Sequence, residues 1–391
     1  MARSRHSVRS PVFCRSRARF YALQTRRQKQ ICDHSYRIDF TPSPHFLTPS
    51  DVRQWQQVPA MRVWASLITN LNYLPGLLTL AYSIQKVGSQ YPLVALYTDA
   101  LPASALAALD ARGIPARRVP HLSPSSGKRY ADDPRFDDTW TKLVAFSLVE
   151  FDRVVLLDSD MIVRKQFDEL MALELDAPDN TSGHRVFAST HACACNPLKK
   201  RHYPKNWYFG PWSLAEVMRA FVNTRTLFRI PENCAYTSQH SSPEDAQVAA
   251  TPPSSGVGML NSGLLVINPS IDAFTLIVQA INNPEITDKH DFPDQGLLSE
   301  VFEGRWVPLP YIYNALKTLR WRTVHDTIWR DDQVKIVHYI FAKKPWTSRT
   351  LDEKDVTTEW EASDKLLHEW WWQLDDERKR IEKERGVVDG L

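Results

Sequence analysis

The feature that most constrains the fold is a short apolar run that leads directly into two aspartates. Residues 153–161 read RVVLLDSDM, so Val154 to Leu157 are apolar, and Asp158 and Asp160 follow with one residue between them. A continuous run of β-branched and leucine side chains is typical of a buried strand in a parallel sheet. In open α/β sheets, ligands lie beyond the carboxyl ends of the strands. The run therefore predicts an α/β protein in which two carboxylates stand at a binding site.

Asp158 and Asp160 have a spacing that suits a divalent metal ion. Side chains two residues apart on a strand share a face, so both carboxylates can reach one hard cation if the strand continues to that point. Mg²⁺ and Mn²⁺ prefer oxygen ligands and often hold substrate phosphates in their remaining positions. The alternative is a strand that ends in a solvated acidic turn, because aspartate is common where strands end.

Predicted strands and helices alternate along most of the chain. Strands are expected at 63–68, 93–98, 117–119, 153–157, 259–269 and 334–338, and helices at 74–87, 103–112, 139–151 and 271–282, with a further helix from Asp291. This alternation predicts one Rossmann-like, mostly parallel sheet flanked by helices. The turn after the first strand is where a nucleotide would lie. It carries no GxGxxG or GxxxxGK[ST] motif, so dinucleotide and P-loop mechanisms find no support.

The chain is expected to divide into three parts. Residues 1–60 lack periodicity, and residues 1–31 are rich in arginine without any acidic residue, which predicts a disordered basic extension. The α/β domain is expected over 61–346, with a long irregular insertion at about 181–256. Residues 347–391 would form a C-terminal helix, over roughly 359–385, and a charged tail.

Composition excludes several classes of protein. The formal net charge is +3, but the excess of basic residues lies in the N-terminus and the rest of the chain is mildly acidic. The chain therefore gives no global nucleic-acid signal. No run of about 18 apolar residues is present, which predicts no transmembrane helix. We therefore expect a cytoplasmic protein. Because the N-terminus has the composition of a transit peptide, a mitochondrial destination stays open, and so does an association with the Golgi.

Five cysteines form an odd and sparse set, which does not indicate a disulfide framework. The segment 191–195 reads HACAC, and it admits a zinc site with Cys234 or His202 as a further ligand. Structural zinc sites usually separate paired cysteines by two to four residues. We therefore interpret these residues as plain loop thiols, with a disulfide and a zinc site as the alternatives.

Polar side chains also stand at the ends of other predicted elements. These side chains are Asn261 and Ser262 in one strand, Asp294 and Gln295 at the start of a helix, and His338 at the end of a strand, six residues before Lys344. A histidine at a strand end, before a Lys-Lys loop, fits a metal ligand beside a phosphate clamp. A metal ion can neutralise a leaving diphosphate as a Lewis acid, and a lysine adds a point charge to the same phosphates. The implied reaction releases a nucleoside diphosphate.

Taken in order, these motifs resemble the retaining glycosyltransferases of family 8, the family of glycogenin and galactinol synthase. The resemblance covers about residues 61–346. It rests on LITNLNY at 67–73, TKL at 141–143, LDSD at 157–160, NSG at 261–263, DFPDQG at 291–296, LPYIYN at 309–314, and His338 with KKPW at 343–346. Each motif is weak alone, and together in this order they are specific.

The resemblance implies a GT-A fold, a UDP-sugar donor and Mn²⁺, with Mg²⁺ as the second choice of ion. It places Asp158, Asp160 and His338 on the metal. It implies donor binding by Leu67, Thr69, Asn70, Tyr73, Asp158, Ser159, Asn261, Ser262, Asp291 and Lys344. Catalytic roles near the donor sugar would fall to Asp294, Gln295 and Lys142.

Two departures from the family pattern affect these expectations. Phe341 stands where family members often carry glycine, three residues after the metal histidine, so the loop is expected to approach the diphosphate differently. The region that carries the self-glucosylated tyrosine of glycogenin reads LRWR at 319–322, without a tyrosine.

We therefore predict a Mn²⁺-dependent retaining hexosyltransferase that uses a UDP-sugar and a small polyol or glycan acceptor. No nucleic-acid partner is expected, and a homodimer stays open. One alternative is a Mg²⁺-dependent phosphatase of the haloacid dehalogenase type, because LDSD mimics its signature, although its later acidic pair is not found. The other is a non-catalytic sugar-nucleotide-binding protein, against which the intact Asp158, Asp160 and His338 argue. The sequence does not identify the sugar.

Overall fold

The apolar run at 153–157 forms the middle strand of a seven-stranded sheet in the computed structural model of the chain. The structure describes residues 61–201, 203–204, 207, 231–347, 349 and 358–391. The predicted basic extension, 1–60, lies outside the described residues. The strands are β1 (Arg62–Ile68), β2 (Leu93–Tyr97), β3 (Ala116–Arg118), β4 (Arg153–Leu157), β5 (Met161–Val163), β6 (Phe187–His191), β7 (Leu260–Ile267), β8 (Trp306–Pro308), β9 (Ala315–Leu316) and β10 (Ile336–His338).

The large sheet is mostly parallel and has the order β3-β2-β1-β4-β7-β6-β8. Strand β7 is antiparallel to both of its neighbours, β4 and β6. Side chains of β4 alternate between two apolar clusters, with Val154 and Leu156 in one and Val155 and Leu157 in the other. The strand is therefore buried on both faces, as the continuous apolar run predicted.

Six α-helices accompany the strands in the described part of the chain. They are α1 (Leu74–Lys86), α2 (Ala103–Asp110), α3 (Ile271–Ile281), α4 (Pro284–Thr287), α5 (Pro293–Val301) and α6 (Glu359–Glu384). Five of them match predicted helices to within a few residues, because their apolar side chains recur at helical spacing. The predicted helix at 139–151 is wrong. Residues Pro134–Ser147 form consecutive 3₁₀ turns instead, and the hydroxyls of Thr139 and Ser147 donate to backbone carbonyls three residues earlier.

A second, three-stranded sheet with the order β5-β10-β9 stands beside the large one, so the prediction of a single sheet was incomplete. Strand β10 is antiparallel to β5, and His338 pairs in register with Met161. The backbone N–H of Tyr339 donates to the carbonyl of Asp160 at 2.9 Å. This pairing brings the histidine next to Asp160 and Asp158, which lie 178 and 180 residues earlier in the sequence.

The predicted insertion begins later than the sequence suggested. Phe187–His191 forms β6, a fully buried strand between β7 and β8. A mixture of phenylalanine, alanine, serine and threonine gives little apolar signal, because this strand buries small and hydroxyl side chains. Residues 208–230 lie outside the described residues.

Helix α6 belongs to the same compact unit as the sheets. It begins with a capping box, in which the Thr358 hydroxyl and the Glu361 side chain each bond the other residue's backbone N–H. Its buried face meets α1, where the Thr79 hydroxyl donates to Asp375 at 2.9 Å. Trp371 is buried, and the indole N–H of Trp372 donates to the Pro345 carbonyl at 2.8 Å. The helix therefore supports the loop that carries Lys344.

Within the described residues, no helix has the length and apolar character that crossing a bilayer requires.

His368 of α6 makes stability depend on pH. It is fully buried, and neither ring nitrogen has a hydrogen-bond partner among the described residues. Burial, together with the charges of Lys317, Lys343 and Lys344, lowers its pKa from 6.5 to about 3. The unfolded chain therefore binds a proton that the folded chain rejects between these two values. The free energy of unfolding is highest above pH 6.5 and falls toward pH 3, by up to about 1.4 kcal/mol per pH unit.

Replacing His368 with phenylalanine is expected to flatten this acid dependence, which urea unfolding at a series of pH values measures. The ring would still pack between Tyr339 and Trp372. The exposed His184→Phe is the matched control and should keep the wild-type profile. An unchanged slope in His368→Phe would contradict the assignment.

Candidate active site

A cavity of about 240 Å³ opens beyond the carboxyl ends of β1 and β4. It is lined by all the site residues predicted from the sequence except one, namely Leu67, Thr69, Asn70, Tyr73, Lys142, Asp158, Ser159, Asp160, Asn261, Ser262, Asp294, Gln295, His338 and Lys344. Asp291 is exposed, and it is not among the lining residues. The fold therefore brings residues from both ends of the domain into one place.

Two aspartates and a histidine converge at the floor of this cavity. Asp158 follows β4, Asp160 precedes β5, and His338 ends β10. The Nε2 atom of His338 lies 3.3 Å from a carboxylate oxygen of Asp160 and 3.7 Å from one of Asp158. One ligand atom from each residue falls within 4.8 Å of the other two. The three side chains can therefore hold one metal ion.

The orientation of His338 is fixed by Asn314, a residue that sequence reasoning did not assign to the site. The Nδ1–H of the imidazole donates to the Asn314 Oδ1 at 2.9 Å, which turns the Nε2 atom toward the carboxylates. The Asn314 amide in turn donates to Thr190 and to Asn261, each at 2.9 Å. The amide is fully buried, so this network holds one arrangement.

Replacing Asn314 with alanine is expected to weaken metal binding by about 10–100-fold, because the imidazole loses the acceptor that sets its tautomer. Turnover measured against metal concentration checks this result. The exposed Asn282→Ala provides the control and should leave the metal dependence unchanged. An Asn314→Ala variant with the wild-type metal dependence would show that the network does not orient the ligand.

The turn that carries Asp158 and Asp160 sits tightly on α1. A Cβ atom at Gly76 of that helix would lie 2.4 Å from the carbonyl oxygen of Ser159 and 2.7 Å from the ring of Trp346. Only glycine allows the helix to approach the turn so closely. Helix α1 therefore packs against the turn that carries Asp158 and Asp160 as well as against the sheet, and it fixes the position of that turn.

Lys142 bridges two carboxylates on one side of the cavity. Its ammonium lies 2.8 Å from Asp158 and 3.4 Å from Asp294. Burial disfavours the charged ammonium, but the two carboxylates outweigh burial and raise the pKa of Lys142. The Ser262 hydroxyl donates to Asp294 at 2.6 Å. Asp294 is therefore held in place by a cation and a hydroxyl.

Lys344 supplies a second cation to the cavity, and its side chain is buried. It pairs with Asp160 and donates to the Tyr339 carbonyl at 2.7 Å. Burial lowers the pKa of Lys344, and the charge of Asp160 offsets only part of that effect. Burial also opposes ionisation of Asp160, but the charges of Lys344 and His338 prevail and hold its pKa well below the usual range. The carboxylate is therefore ionised and available to a metal ion at neutral pH.

The rim near β1 offers hydrogen-bonding groups and an aromatic face. The Thr69 hydroxyl donates to Asp138 at 2.9 Å, and the amide of Asn70 donates to the same hydroxyl at 3.3 Å. Tyr73 meets Trp346 edge to face, with ring centroids 5.9 Å apart. Burial and the negative charge of Asp160 raise the pKa of Tyr73 to about 12. The phenol is therefore neutral and presents a hydrogen-bonding hydroxyl.

Arg135 is a lining residue that sequence reasoning missed. It lies in the 3₁₀ run, and its guanidinium donates to Asp133 at 2.7 Å. Burial acts against its charge, but the bond to Asp133 and the nearby Tyr73 raise its pKa. No periodic pattern marks this position, because the residue follows no regular helix or strand. Only the folded chain shows a third cation beside the cavity.

Phe341 explains how the chain departs from the family pattern after the metal histidine. Its φ angle is 74°, in the left-handed region that glycine adopts without cost. The backbone therefore keeps a conformation typical of glycine although a bulky residue stands there. The ring lines the cavity and lies 5.3 Å from the ammonium of Lys200.

The donor atoms fit a hard divalent ion. The ligand set consists of two carboxylates and one imidazole, and lysines that can face phosphate oxygens lie beside it. Mn²⁺ and Mg²⁺ prefer such oxygen-rich sets, whereas soft metals prefer sets rich in thiols. The orientation of His338 supports this fit, because its Nε2 atom faces both carboxylates. The three side chains therefore form a possible ligand set for such an ion.

Comparison with known proteins gives the family. The model of glycosyl transferase family 8 matches residues 65–350. Galactinol synthase 1 of Arabidopsis thaliana is 25% identical over 324 residues, covering 83% of this chain and 81% of the relative. Galactinol synthase 1 of Ajuga reptans is 24% identical over 328 residues, covering 82% and 83%.

Solved structures with a similar arrangement are also glycosyltransferases. The crystal structure of GlyE of Streptococcus pneumoniae TIGR4 has a TM-score of 0.49 at 17% identity, covering 83% of this chain and 63% of that longer chain. The structure of LgtC, in complex with donor and acceptor sugar analogues, has a TM-score of 0.46 at 17% identity, covering 81% and 96%.

The chain is a glycosyltransferase with an α/β fold and a mostly parallel central sheet. It belongs to glycosyl transferase family 8. The resemblance inferred from the ordered motifs is thereby confirmed. Family membership argues against both alternatives, the haloacid dehalogenase-type phosphatase and the non-catalytic binding protein.

Proposed function

We propose that this enzyme transfers a hexose from a UDP-sugar to a hydroxyl of a small polyol or glycan acceptor, with retention at the anomeric carbon and with Mn²⁺ as the preferred ion. The observation that carries the proposal is the convergence of Asp158, Asp160 and His338 between Lys142 and Lys344. Two anions and a neutral imidazole suit the metal, and the flanking cations suit the two phosphates that a nucleotide sugar brings.

The donor would lie along the cavity from β1 to α5. Leu67, Thr69, Asn70 and Tyr73 would contact the uridine, because they form the rim near β1. Lys344 would face the diphosphate. Bound metal supplies Lewis-acid stabilisation of the charge that develops on the leaving diphosphate. Lys344 adds a fixed positive charge at the same place, in a site whose burial strengthens the interaction.

Lys142, Asn261, Ser262, Asp294 and Gln295 would face the hexose. The carboxylate of Asp294 is held by Ser262 and Lys142, and the Asn261 amide donates to Gln295 at 3.4 Å. In a double displacement, Asp294 or Gln295 would attack the anomeric carbon and the acceptor oxygen would then displace it. In a front-face reaction the acceptor attacks on the side that UDP leaves, and a departing phosphate oxygen takes its proton. The front-face route is the simpler proposal, because Lys142 and Ser262 already bond to Asp294.

The acceptor is proposed to be a separate small molecule, with a polyol such as an inositol as the first candidate. The relatives named galactinol synthase support a polyol. The tyrosines near the domain's end are already bonded, since the Tyr311 hydroxyl donates to Gln247 and the Tyr313 hydroxyl donates to Glu169. Trp321 stands in the segment 319–322, and it stacks on Trp360. None of these groups is a free phenol that could take up the sugar.

The test is UDP release across a panel of UDP-sugars, with Mn²⁺, with Mg²⁺ and with chelator, in the presence and absence of polyols. We expect release to require the metal and to accelerate when the correct polyol is added. Intact-mass measurement of the protein after the same incubation is the control for self-glycosylation. A ladder of hexose additions would contradict the separate acceptor, and metal-independent release would contradict the metal site.

The cytoplasmic location, the three-part division at residues 60 and 346, and the homodimer stay predictions.

A further inference from the structure

Three of the five cysteines and one histidine meet at a single point beside the cavity. The thiol cluster consists of Cys193, Cys195, Cys234 and His325, and one ligand atom from each lies within 4.8 Å of all the others. The Nε2 atom of His325 is 3.1 Å from the sulfur of Cys195 and 3.2 Å from that of Cys234. Cys195, Cys234 and His325 are buried, and Cys193 is partly exposed.

These distances suit one tetrahedral ion. Zinc binds thiolates at about 2.3 Å and imidazole nitrogen at about 2.0–2.1 Å, so the edges of its tetrahedron measure about 3.5–3.8 Å. The observed contacts with His325 are a few tenths of an ångström shorter, and a small outward movement of the thiols would make room for the ion. Three sulfurs and one nitrogen form a Cys₃His set, one of the ligand sets of structural zinc sites.

A second histidine orients the first. The Nδ1 atom of His325 lies 2.8 Å from the Nε2 atom of His240. If Nδ1–H donates across this contact, the Nε2 lone pair of His325 faces the sulfurs, which is the tautomer that a metal requires. A hydrogen-bonded partner on the far nitrogen is the usual arrangement for a ligating histidine. Thiols without a metal ion would need neither His325 beside them nor His240 to orient it.

The cluster lies inside an apolar core with Ala194, Tyr236 and Val324. Four potential ligands leave no position for a substrate, which is typical of a structural site. The ligands come from three separate segments: the loop after β6, the chain at 234, and the loop between β9 and β10. His325 was not foreseen, because 130 residues separate it from Cys195, and the proposed ligand His202 lies outside the described residues.

We propose that the thiol cluster binds one structural zinc ion, independent of the metal at Asp158 and Asp160. Each thiol gives up its proton to solvent on binding, so three thiolates and one neutral imidazole meet the ion. The ion ties the three segments together. Ala192, Cys193, Asn196 and Pro197 line the cavity, so the zinc holds one wall of the active site.

Metal analysis of the full-length protein, purified without chelator from zinc-supplemented cells, tests the proposal. We expect one zinc ion per chain, and loss of that ion in Cys195→Ser and in Cys234→Ser, together with a lower melting temperature. Cys32→Ser removes a thiol that is not part of the cluster, and it should retain the zinc. Asp160→Asn disables the other metal site, and the folded protein should retain the zinc too.

A second measurement does not depend on whether the serine variants fold. Titrating the wild-type protein with a mercurial should release zinc, detected with a coloured chelator, in step with the blocking of three thiols. Protein that contains no zinc, whether its thiols are free or joined in a disulfide, would overturn the proposal. Iron in place of zinc, or zinc that survives in the Cys195→Ser protein and is lost from Asp160→Asn, would overturn it as well.

Discussion

Asp160→Asn is expected to reduce metal-dependent turnover of the UDP-sugar by about three orders of magnitude. Asp160 is the most buried carboxylate of the metal set and faces His338 at 3.3 Å. An amide in its place has no negative charge to hold a divalent ion. The metal contributes several kcal/mol of transition-state stabilisation, and about 4 kcal/mol corresponds to a factor of about 10³. Initial rates of UDP release, measured across a range of Mn²⁺ concentrations, check this result.

The same substitution affects stability, which the sequence did not suggest. Asp160 pairs with the buried ammonium of Lys344, and removing one partner of a buried pair costs about 3–5 kcal/mol. The double variant Asp160→Asn with Lys344→Met removes both charges, and it should regain stability without regaining activity. Asp99→Asn, at an exposed ion pair, is the control that should retain full turnover. A folded Asp160→Asn protein with wild-type turnover would refute the metal assignment.

Gly263→Ala is expected to lower kcat by about 100-fold. A Cβ atom at this position would lie 2.5 Å from Cε1 and 2.8 Å from Nδ1 of His338, and 2.9 Å from the Asn261 amide oxygen. The imidazole must move, because β7 is held by hydrogen bonds on both edges. A displacement of about 1 Å of a catalytic group can cost about 10² in rate. Metal affinity, measured by the Mn²⁺ dependence of turnover, should fall with kcat, because His338 is one of the three ligands.

Gly304→Ala is the matched control, because its Cβ would meet nothing within 4 Å. That residue has a φ angle of 66°, so alanine there should reduce stability by about 1 kcal/mol and leave turnover unchanged. If Gly263→Ala keeps the wild-type kcat and metal affinity, the close approach of the histidine has no role in catalysis.

The sequence by itself determined the local elements and most members of the site. A continuous apolar run predicted β4, periodic leucines predicted α1, and α6 matches the helix expected over roughly 359–385. These features depend on side chains that are close in sequence, so apolar runs and periodicity reveal them. The ordered motifs likewise identified the family, and all the site residues that they named line the cavity, Asp291 excepted.

Only the tertiary structure decided which side chains lie next to each other in the site. The pairing of β5 with β10 places His338 against Asp160, and Asn314 and Gly263 fix the ring from two sides. Arg135 and His325 joined their clusters without any local signal. Strand β6 was hidden because its neighbours in the sheet, and not its own composition, hold it in place. Contacts, charges and close approaches between residues far apart in the chain exist only after folding, so no pattern read along the sequence contains them.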